Sequence, residues 1–401
     1  MIMETPMLTL TAKLANGSTM NARIKDKKRC RVEFNASYES IKNGEFGFDS
    51  FENAKNGCLD LSALKEEYKV YADINNKEYI TPWVSMRVGQ TIVLDLKIKG
   101  NFEETEEISH PNLTFEPNKI TPETKQIKIT CNALFEKETL VEVKADGEPA
   151  GAINFFPNTP KKVKLRWVVV EINEGDKDKI KATVQSKSIL DTYFKKAFNP
   201  AVIDIEVENT EPYKLIIPYQ QYKKHISKKE DVKKEEDKWH SSPSIDIDPQ
   251  IESFVKDTID CFESKSSLKY IDKTRIKFAQ RLFRLNVFKN SVEANRVYLF
   301  LTNLKCKTDK DELTGYNNGI TAGNVSVMFL GNKGHIDPAT EIPHEVMHVL
   351  GAGHTFQDDR NKNQKHFFNK TETDNYMDYN NKKTTTWKWQ WEDMRESANV
   401  H

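Results

Sequence analysis

Eleven consecutive residues constrain this chain more than any others: His344-Glu345-Val346-Met347-His348-Val349-Leu350-Gly351-Ala352-Gly353-His354. They read H-E-x-x-H-x-x-G-x-x-H. On an α-helix, His344 and His348 fall on one face, a little over one turn apart. Two imidazoles so placed can grip one metal ion, and Glu345 between them can reach a water on that metal. Gly351 lets the backbone leave the helix through a conformation that Cβ-bearing residues avoid, and the turn brings His354 round as a third ligand. Three protein ligands with one open position describe a catalytic zinc site, not a structural one. A bare H-E-x-x-H also arises by chance on helix surfaces; the third histidine and the glycine are separate coincidences that a chance match lacks.

A chain of 401 residues predicts two or three domains. Lysine plus arginine equals aspartate plus glutamate at 60 each, which gives no case for a nucleic-acid partner. No apolar run approaches the ~18–20 residues of a membrane span. The start, Met1 to Leu14, interrupts every apolar stretch with polar or charged residues and lacks a basic head, so a cleaved secretory leader is not expected. Five cysteines (Cys30, Cys58, Cys131, Cys261 and Cys306) are too few and scattered for a disulfide framework, and free thiols are expected, although Cys261 and Cys306 could pair.

The expected fold class is α+β, in three parts. Residues 1–62 form a β-rich segment of unclear role, with alternating strands at Leu8–Leu14 and Arg31–Phe34. Cys30 there reads as a half-buried strand cysteine. Residues 63–158 suit an immunoglobulin-like β-sandwich, with strands at Tyr68–Ile74, Thr91–Ile98, Gln126–Cys131, Thr139–Lys144 and Ala150–Phe155 separated by turn residues such as Asp146-Gly147. Such a module binds, spaces or docks. Residues 159–401 form the catalytic domain, opening as strand (Lys164–Ile172), helix (Lys179–Phe198) and strand (Val202–Val207).

Within that domain, residues 223–247 break the pattern: Lys223–Lys238 is almost all charge and reads as a solvated insertion. Pro249 starts a helix with Ile251, Phe254, Val255 and Ile259 inward, and a second helical stretch carries Ile276, Phe278, Ala279, Leu282 and Phe283. Val297–Leu301 is a central strand and Asn324–Leu330 the edge strand above the cleft. Asp337-Pro338 supplies the N-cap and first residue of the histidine helix. Trp387, Trp391, Met394 and Ala398 describe a C-terminal helix packed on the core.

Downstream, Asn375-Tyr376-Met377-Asp378-Tyr379 puts Met377 23 residues beyond His354. An extended zinc motif followed by such a Met-turn resembles the metzincin metalloproteases. His354-Thr355-Phe356 and Asn375–Tyr379 are most similar to the pappalysin-like group. The motif likeness covers residues 344–379, and the element order reaches back to about residue 160. The resemblance implies a two-lobed catalytic domain and an edge strand that pairs with an extended protein or peptide substrate. It implies zinc on the Nε2 atoms of His344, His348 and His354, Glu345 as general base, and Met377 as a floor beneath the metal. By the same resemblance, Tyr379 approaches the metal and hydrogen-bonds the oxyanion.

Two positions depart from that pattern. Met347 stands where glycine is usual. Residues 355–374 lack the cysteine and the acidic, glycine-containing loops that hold calcium in those relatives, so calcium is not carried over. Asp358 and Asp359 read as solvent-facing, and the loop with Lys362, Lys365 and Lys370 favours acidic side chains in substrates.

The leading expectation is a zinc endopeptidase of bacterial type, delivered without a cleaved leader or held in the cytoplasm before delivery, with a secretion-machinery or surface partner met through the N-terminal β region. Two alternatives are an adhesion or binding protein with a vestigial catalytic domain, and a zinc amidase acting on cell-wall peptides.

Overall fold

The computed structural model describes residues 7–13, 19–25, 29–100, 102–172, 186–222, 224, 225, 227, 249–263, 279–286, 296–303, 319–331, 336–357, 364–380 and 382–401. Most of the charged stretch 223–247, residues 179–185, Ile276, Phe278, Cys306, Asp358, Asp359 and Lys362 lie outside these residues, as do the side chains of Ile259 and Cys261. The chain is mixed α+β and divides into two compact units. The first comprises residues 1–40, 48–55 and 60–159; the second comprises 41–47, 56–59 and 160–401. Among the described residues, no helix is long and apolar enough to cross a membrane.

In the first unit, β1 (Met7–Lys13) and β2 (Thr19–Lys25) form an antiparallel pair. Ten further strands follow in this region: β3 (Arg31–Asn35), β4 (Gly47–Asp49), β5 (Val70–Asp73), β6 (Glu78–Ile80), β7 (Trp83–Ser85), β8 (Thr91–Lys99), β9 (Leu113–Glu116), β10 (Gln126–Cys131), β11 (Thr139–Ala145) and β12 (Glu148–Phe155). Two four-stranded sheets run in the orders β3-β8-β10-β9 and β11-β12-β7-β4. Alternation drives their burial. Ile127, Ile129 and Cys131 point inward from β10, as Val141, Val143 and Ala145 do from β11. Asp146 and Gly147, at φ +55° and +76°, turn β11 into β12, as the Asp-Gly pair predicts.

Two expectations need correction here. β3, placed before the sandwich in the sequence reading, is hydrogen-bonded to β8 along Arg31–Asn35, and its Val32 and Phe34 are buried. A strand whose partner is about sixty residues away leaves no local mark of where it belongs. Tyr68–Ile74 is not one strand. Leu61–Tyr68 is a helix, capped by the Asp60 carboxylate accepting from the Ser62 and Ala63 amides at 3.0 Å, and the strand starts only at Val70 after Lys69 turns at φ +60°. The second sheet is mixed: β12 pairs with β11 antiparallel and with β7 in parallel.

Among the described residues, the second unit is built on one sheet. β13 (Lys161–Glu171), β14 (Ile203–Val207), β15 (Tyr213–Ile216), β16 (Val297–Thr302), β17 (Gly319–Ala322) and β18 (Val325–Phe329) run in the order β14-β13-β16-β18-β17, with β15 also on β13. The pairings are parallel except β17 with β18. Every residue of β16 and β18 is buried, as covering both faces requires. On one face Val168, Val170, Tyr298, Phe300, Val327 and Phe329 pack with Ile251, Phe254 and Val255 of the Pro249–Glu263 helix and with Ala279 and Leu282. On the other face lies the Pro338–Val349 helix, against β16, β17, β18 and the Lys187–Phe198 helix.

Asn324–Leu330 was expected to be the edge strand. Its core, β18, instead has β16 on one side and β17 on the other, and among the described strands β17 stands at the edge. The C-terminal helix runs from Lys388 to Arg395 and buries Trp389, Trp391 and Met394; Trp387 caps it, and Ala398 lies beyond it, exposed.

Candidate metal centre

Asp337 accepts from the Ala339 amide at 3.0 Å and Pro338 follows, so the histidine helix begins where its cap chemistry dictates. Ile342, Val346 and Val349 bury its core side. Gly351 at φ +96° ends it, with the Gly351 amide bonding the His348 carbonyl at 3.1 Å and the Ala352 amide the Met347 carbonyl at 3.0 Å. Any side chain at Gly351 would be strained in that backbone conformation.

His344, His348 and His354 converge, with one ligand atom from each lying within 4.8 Å of the others. His344 Nδ1 stands 2.7 Å from the Tyr376 carbonyl, and His348 Nδ1 2.8 Å from the Ala352 carbonyl. A carbonyl only accepts, so both Nδ1 atoms donate, and each ring is left with its Nε2 lone pair. His348 Nε2 faces His354 Nε2 at 3.1 Å. Two nitrogens each roughly 2.0–2.1 Å from one tetrahedral ion stand about 3.3 Å apart, so the pair has the spacing of two ligands sharing a cation. Burial, then the Lys383 ammonium and the other two imidazoles, keep the His344 pKa well below the usual histidine value, hence neutral and able to ligate. The donor set fits a divalent transition metal.

Around the cluster, Phe356 stacks on His354 with ring centroids 4.8 Å apart and 10° between planes. The Tyr379 ring centroid lies 4.9 Å from His354 and 6.2 Å from His344, with the side chain half exposed. Lys370 Nζ sits over the Tyr379 and Phe356 rings at 4.8 and 5.2 Å. Met377 is fully buried, and its carbonyl accepts from the Thr355 amide at 3.1 Å, tying the Met-turn to the residue after the third histidine.

Several residues here carried no role in the sequence reading. Asp378 is fully buried and its carboxylate accepts from the Thr371, Thr373 and Tyr379 amides and the Thr373 hydroxyl at 2.7–2.9 Å. Asn375 and Gln390 exchange two side-chain bonds, at 2.8 and 3.1 Å. Lys383 pairs with Glu341, one turn before His344. Gly319 and Thr321 of β17 line the Glu345 side chain. The motif quoted Asn375 and Asp378 as letters; the others left no signal, because their partners are distant in sequence. Glu345 itself is buried on the helix side facing β17.

No protein-family model matches this chain, and no curated protein is significantly similar to it.

Proposed function

We propose that this chain is a zinc-dependent endopeptidase of the metzincin kind. The observation that carries the reading is the convergence of His344, His348 and His354 with the Nδ1 atoms of the first two rings committed to carbonyls. That leaves ligating nitrogens aimed at one another and a carboxylate, Glu345, on the same stretch of helix. When bound, zinc would supply Lewis-acid polarisation of the scissile carbonyl and lower the pKa of a water it holds. Glu345 would accept the proton of the attacking water and pass it to the leaving amine. Tyr379, beside His354, donates to the developing oxyanion. The edge strand β17 offers backbone groups to an extended peptide, which suits binding of many sequences with modest side-chain selection. Lys370 at the rim favours acidic side chains.

The first unit is proposed as an immunoglobulin-like module that meets a surface or secretion partner. Delivery out of the producing cell is part of the same proposal.

The test is cleavage of a peptide library by wild type and Glu345→Gln, with zinc content measured in both. Glu345→Gln is expected to keep zinc and lose turnover. A Glu345→Gln protein that keeps both overturns the role of Glu345. Zinc-loaded wild type that cleaves no peptide, or that degrades purified peptidoglycan instead, overturns the endopeptidase.

A further inference from the structure

β17 turns alternate residues to opposite faces of the sheet. Ile320 joins the hydrophobic core on one side, while Gly319 and Thr321 face the histidine helix. Thr321 pairs across the ladder with Ser326 of β18, and the two hydroxyls lie 3.2 Å apart. Both reach the same helical residue. Ser326 Oγ donates to the Glu345 carbonyl at 3.0 Å. Thr321 Oγ1 lies 2.9 Å from that carbonyl and 2.7 Å from the Glu345 Oε2. A hydroxyl has one proton to give. With Ser326 serving the carbonyl, the Thr321 proton goes to the shorter contact and the charged oxygen, where a hydrogen bond is strongest.

Gly319 closes the other side. A Cβ there would stand 2.5–2.7 Å from Glu345 Cγ, Cδ and Oε1, so the carboxylate lies directly against the strand backbone. The side chain is thus confined by one hydroxyl and by one position without a side chain, both from the same strand.

We propose that Thr321 is a positioning residue for Glu345. Its hydroxyl tethers Oε2 and so fixes the rotamer from which Oε1 takes the proton. This rests on the peptidase reading and adds to it a cost in kcat for loss of the Thr321 hydroxyl, whose contact is with Glu345. Valine at 321 keeps the shape of threonine and removes the donor; serine keeps the donor.

The experiment compares wild type, Thr321→Val, Thr321→Ser and Glu345→Gln by kcat and KM on one peptide substrate. Zinc content and the thermal midpoint of each metal-free protein are measured alongside. Thr321→Val is expected to lose about ten- to hundredfold in kcat, with KM changed by less than about threefold and full zinc content. Thr321→Ser should recover most of the rate. Should Thr321→Val melt early, Thr321→Ala takes its place in the same comparison. A wild-type kcat in the variant without a hydroxyl overturns the proposal, as does an equal loss in Thr321→Ser. Glu345→Gln as active as wild type, or wild type without turnover, overturns the peptidase reading itself and this proposal with it.

Discussion

Lys383 Nζ bonds Glu341 Oε1 at 2.5 Å, with the lysine 3% exposed, and so joins the segment after the Met-turn to the histidine helix one turn ahead of His344. A buried ion pair is weak support for stability in itself, but removing one partner leaves the other charge uncompensated. Lys383→Met is expected to destabilise the protein by about 3–5 kcal/mol, seen as a lower urea midpoint. Glu341 is 17% exposed, so the lower end of that range applies. A midpoint unchanged from wild type would remove the pair from the framework of the site.

Asp378 holds the Met-turn from inside. Its carboxylate accepts four short bonds from Thr371, Thr373 and Tyr379. Asp378→Ala orphans those donors, at a cost of about 2–4 kcal/mol. It should also weaken metal binding, because the Met377 and Tyr376 carbonyls hold Thr355 and His344. Chemical denaturation and competition with a zinc chelator read the two effects separately. Wild-type zinc affinity in Asp378→Ala would confine the residue to folding.

Gly319→Ala places a methyl where the Glu345 carboxylate lies. The helix and the turn that follows it carry the three histidines independently of that contact, so on the peptidase reading zinc content should be retained while turnover falls about a hundredfold or more. Equal loss of zinc and activity would show a collapsed site instead of a displaced base.

The thiol of Cys30 is pushed up to about 12, first by burial and then by the Asp146 carboxylate. A thiol raised in the folded state adds stability below its unfolded pKa, and that stability fades as pH rises from about 9 towards the folded value. The protein should therefore lose stability between about pH 9 and 12, and Cys30→Ala should flatten that loss. Iodoacetamide at pH 8 should label Cys30 far more slowly in native than in unfolded protein, because burial covers the thiol and keeps it protonated. Labelling at equal rates, followed by mass spectrometry, would contradict the burial.

Helical periodicity alone puts His344 and His348 on one face, and Asp337, Pro338 and Gly351 mark where that helix begins and ends. Those are local relations, decided within a few residues by backbone geometry and capping chemistry. The alternation of β8, β10, β11 and β13 was legible for the same reason. Sheet order was not. Asn324–Leu330 reads as an edge strand and is flanked on both sides, while the strand at the edge, Gly319–Ala322, is only four residues long and opens on a glycine.

What the chain determines by itself is the set of groups able to hold a metal, since their spacing on one helix and one turn needs no distant partner. The tertiary structure alone decides how those groups are aimed. Tyr376 commits His344, Thr321 and Gly319 confine Glu345, and Lys383 meets Glu341. Each of these contacts joins residues tens of positions apart, so packing, not sequence pattern, creates it.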